Sequence, residues 1–232
     1  MSERDFNDLI IHPVAAIHTD FPTKFGIPRQ SEMVHDLKGK IVFNKDYRKE
    51  GIIRGLEGFS YIYVIWGFSS FVQDSWSPTV RPPRLGGNQR LGVFATRSPN
   101  RPNPLGLSIL KIEKIEYEKK DGPCIYVTGI DMMDNTPIYD IKPYIPEYDS
   151  YPEAKGGFAE EKKKPTLEVI IPEELLEKIP EEKRDELIEI LHYDPHPSYQ
   201  HDERKYGFVF AGFEIKFHIR DGKAEVFYIE KA

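Results

Sequence analysis

The chain is poor in cysteine, in long apolar runs and, over one stretch, in acid. Cys124 is the only cysteine among 232 residues. That excludes an intrachain disulfide and any cysteine-based metal cluster. No apolar run approaches the roughly 18 residues that a membrane span requires. The start, MSERDFNDLIIHP, carries acids where a secretory signal needs a basic end and a long apolar stretch. These absences predict a cytoplasmic protein with no membrane association. Nucleotide-binding loops are missing too. The glycines of RLGGNQRLG have the wrong spacing for G-x-G-x-x-G and no helix after them, and no G-x-x-x-x-G-K-[ST] loop occurs. Neither a G-x-S-x-G elbow nor H-E-x-x-H is present. His192, His196 and His201 cluster, but Pro195 and Pro197 interrupt helical ligand spacing, so no metal is expected. Cys124 sits in an apolar run and reads as a small core residue rather than a nucleophile.

What is there reads as an ordinary globular chain. Hydrophobic residues make up 39% and charged residues 30%, which excludes a disordered chain and a fibre. With 32 basic and 38 acidic residues the net charge is −6. A uniformly basic nucleic-acid binder is thereby excluded, though not a local basic site. Such a site has a candidate. From Ser75 to Ile112 there is no Asp or Glu, while Arg81, Arg84, Arg90, Arg97, Arg101 and Lys111 stand unopposed. This is either a solvated basic loop or a seat for phosphate or another anion.

Hydrophobic patterning predicts a mainly β protein. LIIHPVAAIHT, KIVF, LGVFAT, LGLSILKIEKIEYEKK, CIYVTGIDMM and IYDIKPYIP all read as strands. FSYIYVIWGF is the strongest, apolar on both faces and so buried. Strands at roughly ten-residue spacing with Gly and Pro turns indicate a barrel or a sandwich. No run between Ile10 and Ile145 reads as a helix. The expected organisation is a β domain over 1–150, a linker or loop over 151–165, and a small α+β domain over 166–232. The last is marked by two helices beginning at Pro172 and Pro180. Two or three strands follow, with an Asp221-Gly222 hairpin turn.

The chemistry concentrates in SPTVRPPRLGGNQRLGVFATRSPNRPNPLGLS, residues 77–108. Pro82, Pro83, Pro99, Pro102 and Pro104 stiffen it and four glycines admit close approach. Arg97 and Arg101 offer planar forks for carboxylate, phosphate or an adenine face. Asn100 and Asn103 pair a donor with an acceptor and suit a base or ribose edge. An extended arginine-rich surface loop accounts for the composition equally well. Asp131, Asp134 and Asp140 sit among strand-like residues, where an aspartate either holds a ribose hydroxyl or a cation, or caps a turn. Asp134, next to Asn135, suits a turn; Asp131 suits it less. Lys142 is an edge-facing charge or a phosphate contact.

Taken together, FPTKFGIPRQ, RGLEGFSYIYVIWGF, TVRPPRLGGN, GVFATRSPNRPNPLGLS and DNTPIYDIKPYIPEYDS resemble the TrmO family, also called YaeB-like or TsaA-like. This is a family of S-adenosylmethionine-dependent tRNA methyltransferases. DPHPSYQHDERKYGFVFAGFEIKF resembles the family's C-terminal part, so the likeness spans nearly the whole chain. The resemblance implies a β-barrel S-adenosylmethionine-binding domain, neither Rossmann nor knotted, followed by a small α+β domain. It also implies a homodimer. The implied reaction methylates N(6) of threonylcarbamoyladenosine, beside the anticodon of threonine tRNA. The implied cofactor contacts are Pro28, Arg29, Gln30, Arg97, Leu107, Asp131, Met132, Met133 and Asp134. After the central strand the family commonly has a His in an F-H pair, where this chain has Phe68-Ser69-Ser70, which makes Ser69 and Ser70 candidate contacts. In this reading Leu107 packs adenine, Arg97 engages the cofactor's polar end, and Asp131 or Asp134 takes a proton. Arg84, Arg101 and Lys142 are candidates for the substrate's threonyl carboxylate, and Asn103 for the tRNA anticodon arm. Two other readings fit the same residues: a methyltransferase of this fold acting on another RNA or a small molecule, and an RNA-binding module without catalysis.

Overall fold

The computed structural model describes residues 9–69, 75–82, 85, 89–161, 166–195 and 204–232. Six strands close a barrel in the order β1-β2-β7-β6-β3-β8, with every listed neighbour antiparallel. They are β1 (Ala15–Thr19), β2 (Lys38–Phe43), β3 (Tyr61–Gly67), β6 (Leu105–Glu118), β7 (Gly122–Thr128) and β8 (Thr136–Pro143). Closure leaves these strands no free row of backbone donors along most of their length. Between β3 and β6 a two-stranded ribbon forms from β4 (Thr79–Val80) and β5 (Leu91–Gly92).

The inner face of the barrel follows the strand period. Along β3, Ile62, Val64 and Trp66 point inward and are buried, while Tyr61, Tyr63 and Ile65 are half-buried on the outer face. Ile17, Ile41, Leu110, Ile125, Val127 and Ile138 complete the filling. Cys124 is fully buried in β7, and burial pushes its thiol pKa up, which keeps it protonated. Trp66 needs room, and Gly106 on the neighbouring strand provides it. A Cβ at Gly106 would overlap the indole ring.

After β8 come α1 (Pro146–Asp149) and α2 (Phe158–Glu161), both single turns. A second sheet then forms in the order β10-β11-β12-β9. Its strands are β9 (Glu168–Ile170), β10 (Tyr206–Phe210), β11 (Phe213–Arg220) and β12 (Lys223–Lys231), and it carries α3 (Glu173–Leu176) and α4 (Glu181–His192). Asp221 and Gly222 both have positive φ and connect β11 to β12 as a two-residue turn, as the Asp-Gly signal predicts. Buried residues of barrel and second sheet form one continuous hydrophobic cluster.

Four strand and loop expectations differ from the structure. LGVFAT is a strand only at Leu91–Gly92; Val93–Ala95 is a 3-10 turn that leaves Phe94 77% exposed. CIYVTGIDMM stops being a strand at Thr128, because Gly129 takes φ +75° and turns the chain. The 151–165 segment contains α2. β9 is too short for a period to show, and its parallel pairing with β12 is a long-range match.

Replacing Gly106 by Ala forces a methyl group into the Trp66 indole. Gly106→Ala is expected to lower stability by about 1–3 kcal/mol, read as a lower denaturant midpoint with altered tryptophan fluorescence. An unchanged midpoint would show that Trp66 can move aside.

Candidate functional site

The site lies where the barrel wall opens. β6 runs fourteen residues, but β7 pairs with it only from Lys111 onward, because β7 ends at Thr128. The Leu105–Leu110 half of β6 therefore has no strand on that side. Two irregular segments converge there. Ile109 N donates to Ser31 Oγ at 3.2 Å, and Glu32 N donates to the Gly129 carbonyl at 2.9 Å. So residues 28–32 and 129–134 meet over the gap. Gly129 is required at this point: its φ is positive, and a Cβ would collide with the Glu32 carboxylate.

A buried hydrogen-bonded chain supports the gap from inside. Trp66 Nε1 donates to Ser108 Oγ at 2.9 Å, and Ser108 Oγ donates to Asp131 Oδ1 at 2.6 Å. The Ser31 backbone also bonds to the Asp131 carboxylate. Ser108 is buried on the inner face of β6. Burial pushes the Asp131 carboxyl up to about 6, against Ser108, Ser31 and the Arg97 charge, all of which favour the anion. A carboxyl that changes charge near neutral pH is suited to exchanging a proton.

Arg97 covers the gap from outside. It follows the Val93–Ala95 turn, is exposed, and donates through Nη1 to Gln30 Oε1. Gln30 in turn donates to the Arg29 carbonyl at 2.5 Å. Leu107, beside Ser108 but on the outer face of β6, is 57% exposed. An exposed guanidinium whose charge acts on a desolvated carboxyl, with a large apolar side chain left open on the strand beside them, suits a ligand with an apolar face and a charged end.

The other candidates are placed as follows. Asp134 is committed to a turn: Thr19 N donates to its Oδ1 at 3.1 Å, His18 Nδ1 lies 3.1 Å from the same oxygen, and Asn135 Nδ2 donates to Oδ2 at 2.6 Å. Met132 is buried in the core, and its carbonyl accepts from Thr19 Oγ1 at 3.2 Å, so its side chain faces away from solvent. Met133 is half-buried, with its carbonyl accepting from Thr136 N. Pro28 is buried beneath the 28–32 segment, and Ser69 is exposed just past β3. Arg101 donates to the Thr96 carbonyl at 3.1 Å and lies 6.0 Å from the Phe94 ring centre. Asn103 is exposed. Lys142 faces outward on β8, paired with Asp140 at 3.1 Å. Ser70, Arg84, His196 and His201 lie outside the described residues. Among the described residues, no group of three or more His, Cys, Asp or Glu side chains gathers as metal ligands, and no helix is long and apolar enough to cross a membrane.

Sequence reasoning passed over Ser31, Trp66 and Ser108. Ser108 carried a signal, a hydroxyl at an inward position of an apolar strand, which must find a partner. Ser31 and Trp66 were legible only once the strands were paired.

Fold and site together define a closed β-barrel with charged and polar groups gathered along an unpaired stretch of one strand, a class apart from the α/β nucleotide-binding folds. Residues 16–150 match the tRNA-methyltransferase O N-terminal domain and residues 164–232 match the TrmO C-terminal domain. The chain belongs to the TrmO family. It is 34% identical over 226 residues to the tRNA (adenine(37)-N6)-methyltransferase of Escherichia coli, covering 94% of this chain and 96% of that one. The human protein of the same name is 41% identical over 148 residues, which is 62% of this chain and 32% of that one. A crystal structure of TrmO from Pseudomonas aeruginosa superposes with a TM-score of 0.79 at 26% identity, covering 99% of this chain and all of that one.

The raised carboxyl of Asp131 has a consequence for stability. The folded state holds its proton more tightly than the unfolded state, whose value is near 3.8. Its stabilising contribution is therefore complete below about pH 4, is lost as pH rises to about 6, and stays lost above. Asp131→Asn removes this dependence. Measured by urea melts, the variant is expected to gain on the parent through that window, with a limiting slope of about 1.4 kcal/mol per pH unit, and to hold its advantage above it. A constant difference across the window would contradict the assignment.

Proposed function

We propose that the protein is an S-adenosylmethionine-dependent tRNA methyltransferase. In this reading it acts on N(6) of threonylcarbamoyladenosine next to the anticodon of threonine tRNA, as a cytoplasmic homodimer. The observation that carries the reading is the meeting of exposed Arg97, half-buried Gln30 and the desolvated carboxyl of Asp131 at one gap in the barrel, with Leu107 exposed on the adjoining strand. These groups suit the cofactor's parts: Leu107 for the adenine face, Arg97 and Gln30 for the polar amino-acid end, and Asp131 for a hydroxyl, an ammonium or an acidic proton. When bound, S-adenosylmethionine supplies an electrophilic methyl group on a sulfonium and departs as the neutral thioether.

The chain's own residues then have positioning and proton transfer to perform. The acceptor nitrogen carries one proton, which must leave as the N–C bond forms. Asp131 is the acceptor for that proton, because desolvation raises its carboxyl to about 6. Ser108 and Trp66 hold it in one orientation. Asp134 serves the turn that carries Asp131, since both its carboxylate oxygens are engaged there. The threonyl carboxylate of the modified base is met by Arg101, which extends from the same loop as Arg97, with Lys142, Asn103 and Arg84 meeting RNA further out. A basic stretch in an acidic protein makes binding salt-dependent.

The test is transfer of labelled methyl from S-adenosylmethionine to tRNA with and without the threonylcarbamoyl group, the product nucleoside being identified by mass spectrometry. Label confined to modified threonine tRNA is expected; label on neither RNA contradicts the reading. By calorimetry, Arg97→Ala is expected to weaken cofactor binding about 30-fold, the loss of one charged hydrogen-bonding group being about 2 kcal/mol. Unchanged affinity would remove Arg97 from the cofactor's seat.

A further inference from the structure

The turn that presents Gln30 to Arg97 is held by the barrel at its two ends, where the Phe21 carbonyl accepts from Asp134 N at 2.9 Å and where Ser31 and Glu32 bond to Ile109 and Gly129. No helix or strand spans residues 20–37, and such a segment depends on what packs against it. The supports between those ends come one after another from the C-terminal domain. Asp20 is paired with Lys183 of α4 at 2.7 Å, and its carbonyl accepts from Ala211 N at 3.2 Å. Phe21 packs on Phe210, with ring centres 5.3 Å apart. Gly26, at φ +91°, lies against the face of Phe208 so closely that a Cβ would stand 2.5 Å from the ring. Pro28 and Arg29 then share a narrow crevice with Tyr193 and Asp194, at the end of α4. Asp194 is 3% exposed and has φ +56°, an uncommon conformation for an aspartate that the surrounding packing must impose.

We infer that the C-terminal domain is a positioning element of the cofactor site, acting through Phe208 on Gly26 and through the end of α4 on Pro28–Arg29. This inference rests on the reading of Arg97 and Gln30 as cofactor contacts. Its physical basis is the order of supports along the chain. Asp20, Phe21, Gly26 and Pro28–Arg29 are fixed one after another, and the next residue, Gln30, is the one that meets Arg97. Loosening Phe208 frees the turn just before the contact, whereas loosening the sheet elsewhere does not. Phe208 touches neither the gap nor the reacting atoms in this account, so its effect appears in cofactor binding rather than in the chemical step.

The experiment compares Phe208→Ala, Phe208→Leu and Ile229→Ala in the full chain. Ile229 is fully buried in the same sheet, but the atoms that crowd Gly26 are those of Phe208, so Ile229 controls for general loss of stability. Three measurements are made: the Kd for S-adenosylmethionine by calorimetry, kcat and KM from steady-state methyl transfer, and the hydrogen-exchange rate of the peptide spanning residues 21–30. Phe208→Ala is expected to raise Kd and KM for the cofactor about tenfold, a size normal for coupling through packed side chains, while kcat is retained. The peptide should exchange faster in the same variant. Phe208→Leu should restore most of both, and Ile229→Ala should move neither. Unchanged exchange and affinity in Phe208→Ala would overturn the inference, as would equal changes in Ile229→Ala. If the parent protein binds no S-adenosylmethionine, the proposed function fails, and the exchange rates alone then decide whether the C-terminal domain holds the turn.

Discussion

The hydrogen-bonded chain from Trp66 through Ser108 to Asp131 is the constraint on which the rest depends. It links the inside of the barrel to the opening in its wall. Trp66 can lie where it does only because Gly106 has no side chain. Ser108 accepts from the indole and donates its hydroxyl hydrogen to the carboxylate, so both inward-facing groups have a partner. Without that chain Asp131 would keep only its bonds to nearby backbone. With it, a side chain whose desolvation opposes its charge is fixed at the place where Arg97 meets Gln30.

The opening itself follows from an imbalance of strand lengths. β6 outruns β7, and Gly129 turns the chain away before the two can pair further. An uncovered strand edge is ordinarily a liability. Here Ser31 takes one of its donors, Ile109 N, while Glu32 ties the same short segment to Gly129, and that segment carries Gln30 into contact with Arg97. The site is thus built from irregular backbone held on a rigid closed barrel, a common division of labour between scaffold and functional loops.

Much of this was legible in the sequence. The alternation along β3 and the Asp-Gly turn before β12 each pointed to their structural roles. So did the adjacency of Asp134 and Asn135, which marked a turn. The missed parts share a cause. CIYVTGIDMM is apolar throughout, so its pattern could not show that a positive φ at Gly129 would end the strand and free the residues beyond it for the site. LGVFAT has the right composition for a strand but no partner past Gly92. β9 is three residues long and exists through pairing with a strand more than fifty positions away. Ser31 and Ser108 look unremarkable until the barrel brings one to the edge of β6 and the other under Asp131. Motif resemblance singled out segments that the fold brings together, while their mutual contacts needed the hydrogen bonds.

The most direct test of the central claim is an NMR titration of the Asp131 side-chain carboxyl, with and without S-adenosylmethionine. A midpoint near 6 in the free protein, displaced when the cofactor is added, is the predicted result. A midpoint near the ordinary aspartate value of about 4, indifferent to the cofactor, would show that Asp131 is neither desolvated by the barrel nor part of the cofactor's seat.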